Sequence, residues 1–233
     1  FECIRSYRKI LFPARIPLLS RFLNTFMANL PLLNRLCLVN FIIARKIEEK
    51  ENELSVSIVV PARNEKGNIE NAILRTPVFG KWREFIFIEG GSQDGTYEEM
   101  LRVKEKYDSY RIKVAAQSGT GKANAVREGF EMAEGEVLMI LDADLTTPPE
   151  DMPKFYEALK RNRGEFINGC RLVYPMEKEA MRFLNYLGNK FFSWFFSFLL
   201  DQHLKDTLCG TKVLHRSRYL LIKKNRRYFG DFD

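Results

Sequence analysis

The sequence predicts an α/β fold, a mostly parallel sheet with helices on both of its faces. Two observations carry that prediction. Short apolar runs alternate with segments of helical spacing through the middle of the chain, the order that right-handed βαβ units produce. Each run also ends in a polar or glycine-bearing loop, as strands buried on both faces do when they deliver groups to the carboxyl edge of an open sheet.

Residues 54–60 read as the first strand, closed by Pro61, and helical spacing follows through Ile69, Ala72 and Ile73. A second strand over 84–88 ends in Glu89-Gly90-Gly91-Ser92-Gln93-Asp94-Gly95, and a helix over about 96–106 follows. The third strand, 112–116, leads through Gly119-Thr120-Gly121 into a helix that reaches about residue 133. The fourth, 137–141, is Val-Leu-Met-Ile-Leu and ends in Asp142-Ala143-Asp144. A helix over 149–160 opens with Pro-Pro-Glu-Asp, a good start signal.

Residues 1–50 differ. Pro13, Pro17 and Pro31 interrupt apolar helical patches, residues 36–44 form an apolar run that suits a strand, and charged residues 45–53 read as a linker. We therefore expect a mainly helical N-terminal extension over 1–50, which suits the end of a preceding domain, and a main domain over 51–233. The start at Phe1 and the stop within 228–233 suggest a piece cut at both ends.

A hydrophobic content of 45% excludes a disordered chain. Four cysteines without C-x-x-C spacing and two histidines give little support to a zinc site or a disulfide framework. A reducing, cytoplasmic compartment is expected. The net charge of +7 concentrates at the ends: residues 1–50 hold nine Lys/Arg against three Asp/Glu, and 202–233 hold eight against three. Basic ends suit an anionic surface, and we expect a membrane rather than nucleic acid.

Asp142 and Asp144 carry the strongest chemical signal. Two residues apart on a strand, they would share a face at about 6.6 Å, given about 3.3 Å per residue. Such carboxylates repel unless a cation lies near, and hard oxygen ligands suit Mg²⁺ or Mn²⁺ held together with substrate phosphates. The bland alternative is an acidic turn that caps a helix. Gly119-Thr120-Gly121-Lys122 is neither a Walker loop nor G-x-G-x-x-G, because Ala123 and Asn124 occupy required positions. It still feeds a helix N-terminus, which suits phosphate. A plain turn with a solvated lysine is the alternative.

Residues Val56 through Glu65, the Gly91-Ser92-Gln93-Asp94-Gly95-Thr96 turn and Leu141-Asp142-Ala143-Asp144-Leu145 occur in an order and spacing that resemble glycosyltransferase family 2, which has the Rossmann-like GT-A fold. Asn168-Gly169-Cys170-Arg171 and the stretch Asp206 to Lys212 look most like the dolichol-phosphate mannosyl- and glucosyltransferases of that family. The resemblance covers about residues 54–216. It implies that Pro61, Ala62, Asn64 and Glu65 line a nucleotide pocket and that Glu89 reaches the base or ribose. Asp142 would face the ribose and diphosphate, with Asp144 as metal ligand and Asp142 beside it. Lys122, Arg171 and Lys212 would supply positive charge to the diphosphate or to the acceptor phosphate. One departure stands out: the family's Asp-Asp-Gly-Ser is Glu89-Gly90-Gly91-Ser92 here, which puts the donor base in question.

The expected reaction is inverting transfer of a hexose from a UDP- or GDP-linked donor to a polyprenyl or dolichyl phosphate, with Mg²⁺ or Mn²⁺ as Lewis acid. An anionic acceptor needs no strong base. A hydroxyl acceptor would, and Asp206 is the candidate. Residues 191–200, Phe-Phe-Ser-Trp-Phe-Phe-Ser-Phe-Leu-Leu, are too few to span a bilayer, which takes about 20. They suit a helix lying in the membrane interface, so a peripheral location on the cytoplasmic face is expected. Residues 1–33 also suit a membrane, though they more nearly resemble the closing part of a class I methyltransferase domain. The rival functions are transfer to a hydroxyl in cell-surface glycan synthesis, and a non-catalytic scaffold that binds nucleotide-sugars at a membrane.

Overall fold

The structure is a computed structural model and describes residues 1–30, 32–45, 52–170, 183–200 and 209–225. The chain divides into two compact units, Phe1–Glu48 and Glu49–Asp233.

In the first unit, β1 (Glu2–Lys9) pairs antiparallel with β2 (Val39–Arg45), and the Tyr7 and Phe41 rings stack with centroids 5.3 Å apart. Between them lie helix α1 (Leu19–Thr25) and 3₁₀ turns at Met27–Asn29 and Leu33–Leu36. The mainly helical expectation for this extension therefore needs correcting. Val39, Phe41, Ile42 and Ile43 favour extended backbone, as the apolar run suggested. Their partner strand has Arg5, Arg8 and Lys9 among its eight residues and shows no clear period. The pairing spans over thirty residues, and nothing local announces it.

The second unit runs β3 (Val56–Ala62), α2 (Ile69–Leu74), β4 (Arg83–Glu89), α3 (Thr96–Lys106), β5 (Arg111–Ala116), α4 (Lys122–Met132) and β6 (Val137–Ile140). It continues through α5 (Met152–Lys160), β7 (Phe166–Asn168), α6 (Phe183–Leu200), β8 (Lys212–His215) and α7 (Arg216–Asn225). The sheet order is β5-β4-β3-β6-β8-β7. The first four of these strands are parallel neighbours, and β8 lies antiparallel between β6 and β7. The strands and helices read from residues 54–160 all form, with ends shifted by up to three residues; a 3₁₀ turn at Pro149–Asp151 precedes α5. Short β7 and β8 went unread, since strands of three and four residues with Lys212 and His215 at the ends of β8 offer no apolar run.

Strand parity builds two cores. Val56, Ile58 and Val60, Phe85 and Phe87, and Val137 and Met139 point to one face, where Ile69, Ile73, Met100, Val103, Met152 and Tyr156 cover them. Val59, Ile86 and Ile88, and Leu138 and Ile140 point to the other, against Ala125 and Phe130 of α4 and Tyr219 of α7. Gly129 permits the close approach of α4, because a Cβ there would overlap the Val59 side chain. Asp142 continues the parity of Leu138 and Ile140, which sets it towards the α4 face.

Polar groups at the amino edge are closed on one another. Glu84, 1% exposed, accepts from Ser57 Oγ at 2.5 Å and Glu134 N–H at 2.8 Å, and pairs with Lys113 Nζ at 2.9 Å. Gly135 N–H donates to Ser57 Oγ at 2.8 Å, and Lys113 also reaches Glu134 at 2.6 Å. Burial alone would lower the Lys113 pKa, but its bonds to Glu134 and Glu84 hold it above the ordinary lysine value.

Helix α6 exposes Phe191, Phe192, Trp194 and Phe195, while Ser193 is buried. Among the described residues, no helix is long and apolar enough to cross a membrane.

Candidate functional site

The connection from β5 through α4 carries the chain back past β4 and β3 to β6. The connections leaving β3 and β6 therefore diverge, and a crevice opens at their carboxyl ends, where ligands of open α/β sheets bind. A cleft of about 250 Å³ occupies this point. Pro61, Ala62, Arg63 and Glu65 line it from the end of β3, Ile88 and Gly90 from β4, and Gln117, Gly121, Lys122 and Ala125 from the β5–α4 connection. Asp142, Ala143 and Asp144 close the remaining side.

The two aspartates do not extend the strand as their spacing predicts. β6 ends at Ile140, and Leu145 N–H donates to the Asp142 carbonyl at 3.0 Å across a turn, with Leu145 at φ 52°. The turn gives the carboxylates different surroundings. Asp142 is buried, accepts from Lys122 Nζ at 2.5 Å, and has the Gly210 backbone against it, where a Cβ would overlap the carboxylate. Asp144 is exposed; its Oδ1 accepts from Thr146 N–H at 3.0 Å and Thr146 Oγ1 at 2.9 Å. Among the described residues, Asp144 Oδ2 has no hydrogen-bond partner. No group of three His, Cys, Asp or Glu suited to a metal occurs among them either. The donor set is thus two carboxylates facing a cleft, which fits a Mg²⁺ or Mn²⁺ ion completed by substrate oxygens and water.

Of the residues singled out from sequence, Pro61, Ala62, Glu65, Lys122, Asp142 and Asp144 come together in this cleft. Asn64 and Glu89 do not line it. Asn64, at φ 56°, donates its N–H to Ser92 Oγ at 2.9 Å and accepts from Gln93 N–H at 2.9 Å, tying the β3 loop to the β4 loop. Glu89 turns back to accept from Ser92 N–H. Burial alone would raise its pKa, but bonds from Ser92 and Gly91, with the Arg63 charge nearby, hold its carboxyl below the usual range. Lys212 also lies off the cleft lining, and its ammonium donates to Asn168 Oδ1 at 2.6 Å and to the Cys209 carbonyl. Arg171 and Asp206 lie outside the described residues.

Four contributors went unread. Arg63 lines the cleft with no hydrogen-bond partner among the described residues; a cation at a strand's carboxyl end was the available signal. Gln117 donates to the Gly121 carbonyl and to Asn124 Oδ1, both at 2.7 Å, and so shapes the glycine loop. Ser118 secures that loop's start through its hydroxyl, 2.6 Å from Glu128. Gly210 packs on Asp142 from 68 positions away, which no local pattern reveals.

The family model of glycosyl transferase family 2 matches residues 57–219, most of the chain and all of the cleft. The chain belongs to glycosyl transferase family 2. This family 2 chain is 36% identical over 112 residues to a dolichol-phosphate mannosyltransferase of Saccharomyces cerevisiae, a match covering 46% of the chain and 41% of the relative. It is 32% identical over 139 residues to one of Pyrococcus furiosus, covering 59% and 39%. An undecaprenyl-phosphate 4-deoxy-4-formamido-L-arabinose transferase of Salmonella paratyphi B is 34% identical over 140 residues, covering 57% and 42%. The chain thus spans about two fifths of the length of these relatives. Among solved structures, glucosyl-3-phosphoglycerate synthase from Mycobacterium tuberculosis in complex with uridine diphosphate superposes with a TM-score of 0.55 at 20% identity, over 70% of this chain and 57% of that one. That likeness establishes the fold, the GT-A arrangement of the family.

Proposed function

We propose that the cleft is the donor site of an inverting hexosyltransferase that uses a UDP- or GDP-linked sugar, with a polyprenyl phosphate as acceptor. The observation that carries the reading is the convergence of Asp142, Asp144, Arg63 and Lys122 on one crevice at the point where the sheet's winding reverses. Two carboxylates and two cations side by side match a diphosphate that arrives with a divalent ion. Three similar proteins are named as transferring sugars to dolichol or undecaprenyl phosphate, and this favours the lipid phosphate over a hydroxyl acceptor.

In the proposed reaction an acceptor phosphate oxygen forms a bond to the anomeric carbon, and the bond from that carbon to the β-phosphate oxygen breaks. The electron pair leaves with the diphosphate. Mg²⁺ or Mn²⁺ held by Asp144, with Asp142 beside it, would neutralise the charge that develops there. Lys122 and Arg63 add preorganised positive charge on the same side, and Ala62, Ile88 and Gly90 leave room for the nucleoside. Lys212 and Arg171 are proposed to serve the acceptor phosphate. Such an acceptor is already anionic, so no general base is required of Asp206. The exposed aromatic face of α6 supports a peripheral position at a membrane, and we place it on the cytoplasmic side.

A panel of UDP- and GDP-sugars presented to the full-length protein with polyprenyl phosphate, read by mass spectrometry, tests this function. One sugar-phospholipid product dependent on Mg²⁺ or Mn²⁺ is expected. Transfer to hydroxyl acceptors alone would overturn the acceptor class.

A further inference from the structure

We propose that Lys122 is a stand-in cation that makes metal and diphosphate binding interdependent: without donor it neutralises Asp142, and it moves onto the diphosphate as a divalent ion replaces it. The inference rests on the reading of the cleft as a donor site and adds an order of events to it.

The ion pair is close, with Lys122 Nζ 2.5 Å from Asp142 Oδ1. Its partners differ in freedom. The Asp142 side chain is 7% exposed and has the Gly210 backbone packed on its carboxylate, so it cannot turn away. The Lys122 side chain is 55% exposed on a flexible four-carbon stem. It is also the first residue of α4, where the helix dipole disfavours a cation and favours an anion. Asp142 therefore holds the lysine at a place that suits it poorly, and the lysine is the partner that moves.

An ammonium and a divalent ion against one buried carboxylate repel each other. A metal ion arriving alone must displace Lys122 into water with nothing gained in return. A metal ion arriving with a diphosphate gives the displaced ammonium an anion at a helix N-terminus, the arrangement that α4 favours. Each ligand then raises the affinity of the other by the same factor, as linkage requires. In the cell, free divalent ions would leave the cleft empty until a donor brings one in, and departure of the diphosphate would return Lys122 to Asp142.

The test is titration of the full-length protein with Mn²⁺, followed by the electron paramagnetic resonance signal of free Mn²⁺, with and without UDP or GDP. In the wild type, Mn²⁺ alone should bind weakly and either UDP or GDP should tighten it about tenfold or more. In Lys122→Met, Mn²⁺ alone should bind about fivefold more tightly, the nucleotide more weakly, and the mutual enhancement should shrink. Lys122→Gln should behave alike, and Lys122→Arg should restore the wild-type pattern. A wild type that binds Mn²⁺ with nucleotide, beside Met and Gln variants that bind Mn²⁺ alone no more tightly, would overturn the lysine's role and leave the donor site standing. A wild type that binds neither nucleotide with Mn²⁺ would overturn both.

Discussion

At the amino edge of the sheet, buried Glu84 is met by a hydroxyl, a backbone N–H and an ammonium. At the carboxyl edge, Asp144 leaves an oxygen open to the cleft and Arg63 lines it without a described hydrogen-bond partner. The amino edge closes its charges on one another, whereas at the carboxyl edge Asp142 and Glu89 are paired but Asp144 Oδ2 and Arg63 have no hydrogen-bond partner among the described residues. A buried charge met by protein groups is part of the fold, whereas an exposed one is held by water that a ligand can displace.

The comparison can be broken most forcefully at Glu84. Glu84→Leu leaves the Ser57 hydroxyl and the Glu134 N–H without their acceptor while Lys113 keeps Glu134, so unfolding should become easier by about 2–4 kcal/mol, measured by urea denaturation. A loss below about 1 kcal/mol would mean that the amino edge is no more closed than the carboxyl edge. Gly210→Ala should have a smaller effect on stability, about 1–3 kcal/mol from forced displacement of the backbone. It should also weaken UDP or GDP binding, because Asp142 must move. Calorimetry on the same preparation reads both.

The smallest effect concerns an exposed cluster outside both edges. Glu70 joins α2 to α3 through Lys106, Tyr107 and Arg102, and these bonds hold its pKa at about 2. A carboxyl lowered in the folded state stabilises the fold above the ordinary glutamate value of about 4.3. That contribution is lost as the pH falls towards about 2. Melting temperatures of wild type and Glu70→Gln should therefore differ slightly at pH 7 and converge near pH 2. A gap that widens on acidification would reverse the sign of the argument.

How far the sequence disclosed all this depends on how local each cause is. Parallel strands buried on both faces are largely apolar runs, so 54–60, 84–88 and 137–141 are legible, edge strand 112–116 shows through its β-branched and apolar residues despite Lys113, and the Pro-Pro-Glu-Asp start and the Gly95 turn mark their helices. The β1–β2 pairing and the antiparallel β8 are not legible, because their cause is a partner distant in sequence. The site divides in the same way. Asp142, Asp144 and Lys122 announce themselves by position at strand and helix ends, but their relation does not. Spacing put the two carboxylates on one strand face, whereas the turn at Leu145 separates them and the Lys122 ion pair distinguishes them. Glu89 accepts from Ser92 N–H and lies off the cleft lining, an arrangement that its place at the end of a strand does not announce.

The central claim is that the open charges of the carboxyl edge hold the metal and diphosphate of a glycosyl donor. Asp144→Ala in the full-length protein tests it most directly, through turnover with a nucleotide-sugar and polyprenyl phosphate beside a melting curve. Asp144 is exposed and bonded only to Thr146 among the described residues, so the melting temperature should stay within about 2 °C, as surface substitutions usually do. Sugar transfer should fall by about a hundredfold or more. Unchanged turnover in a folded variant would contradict the account.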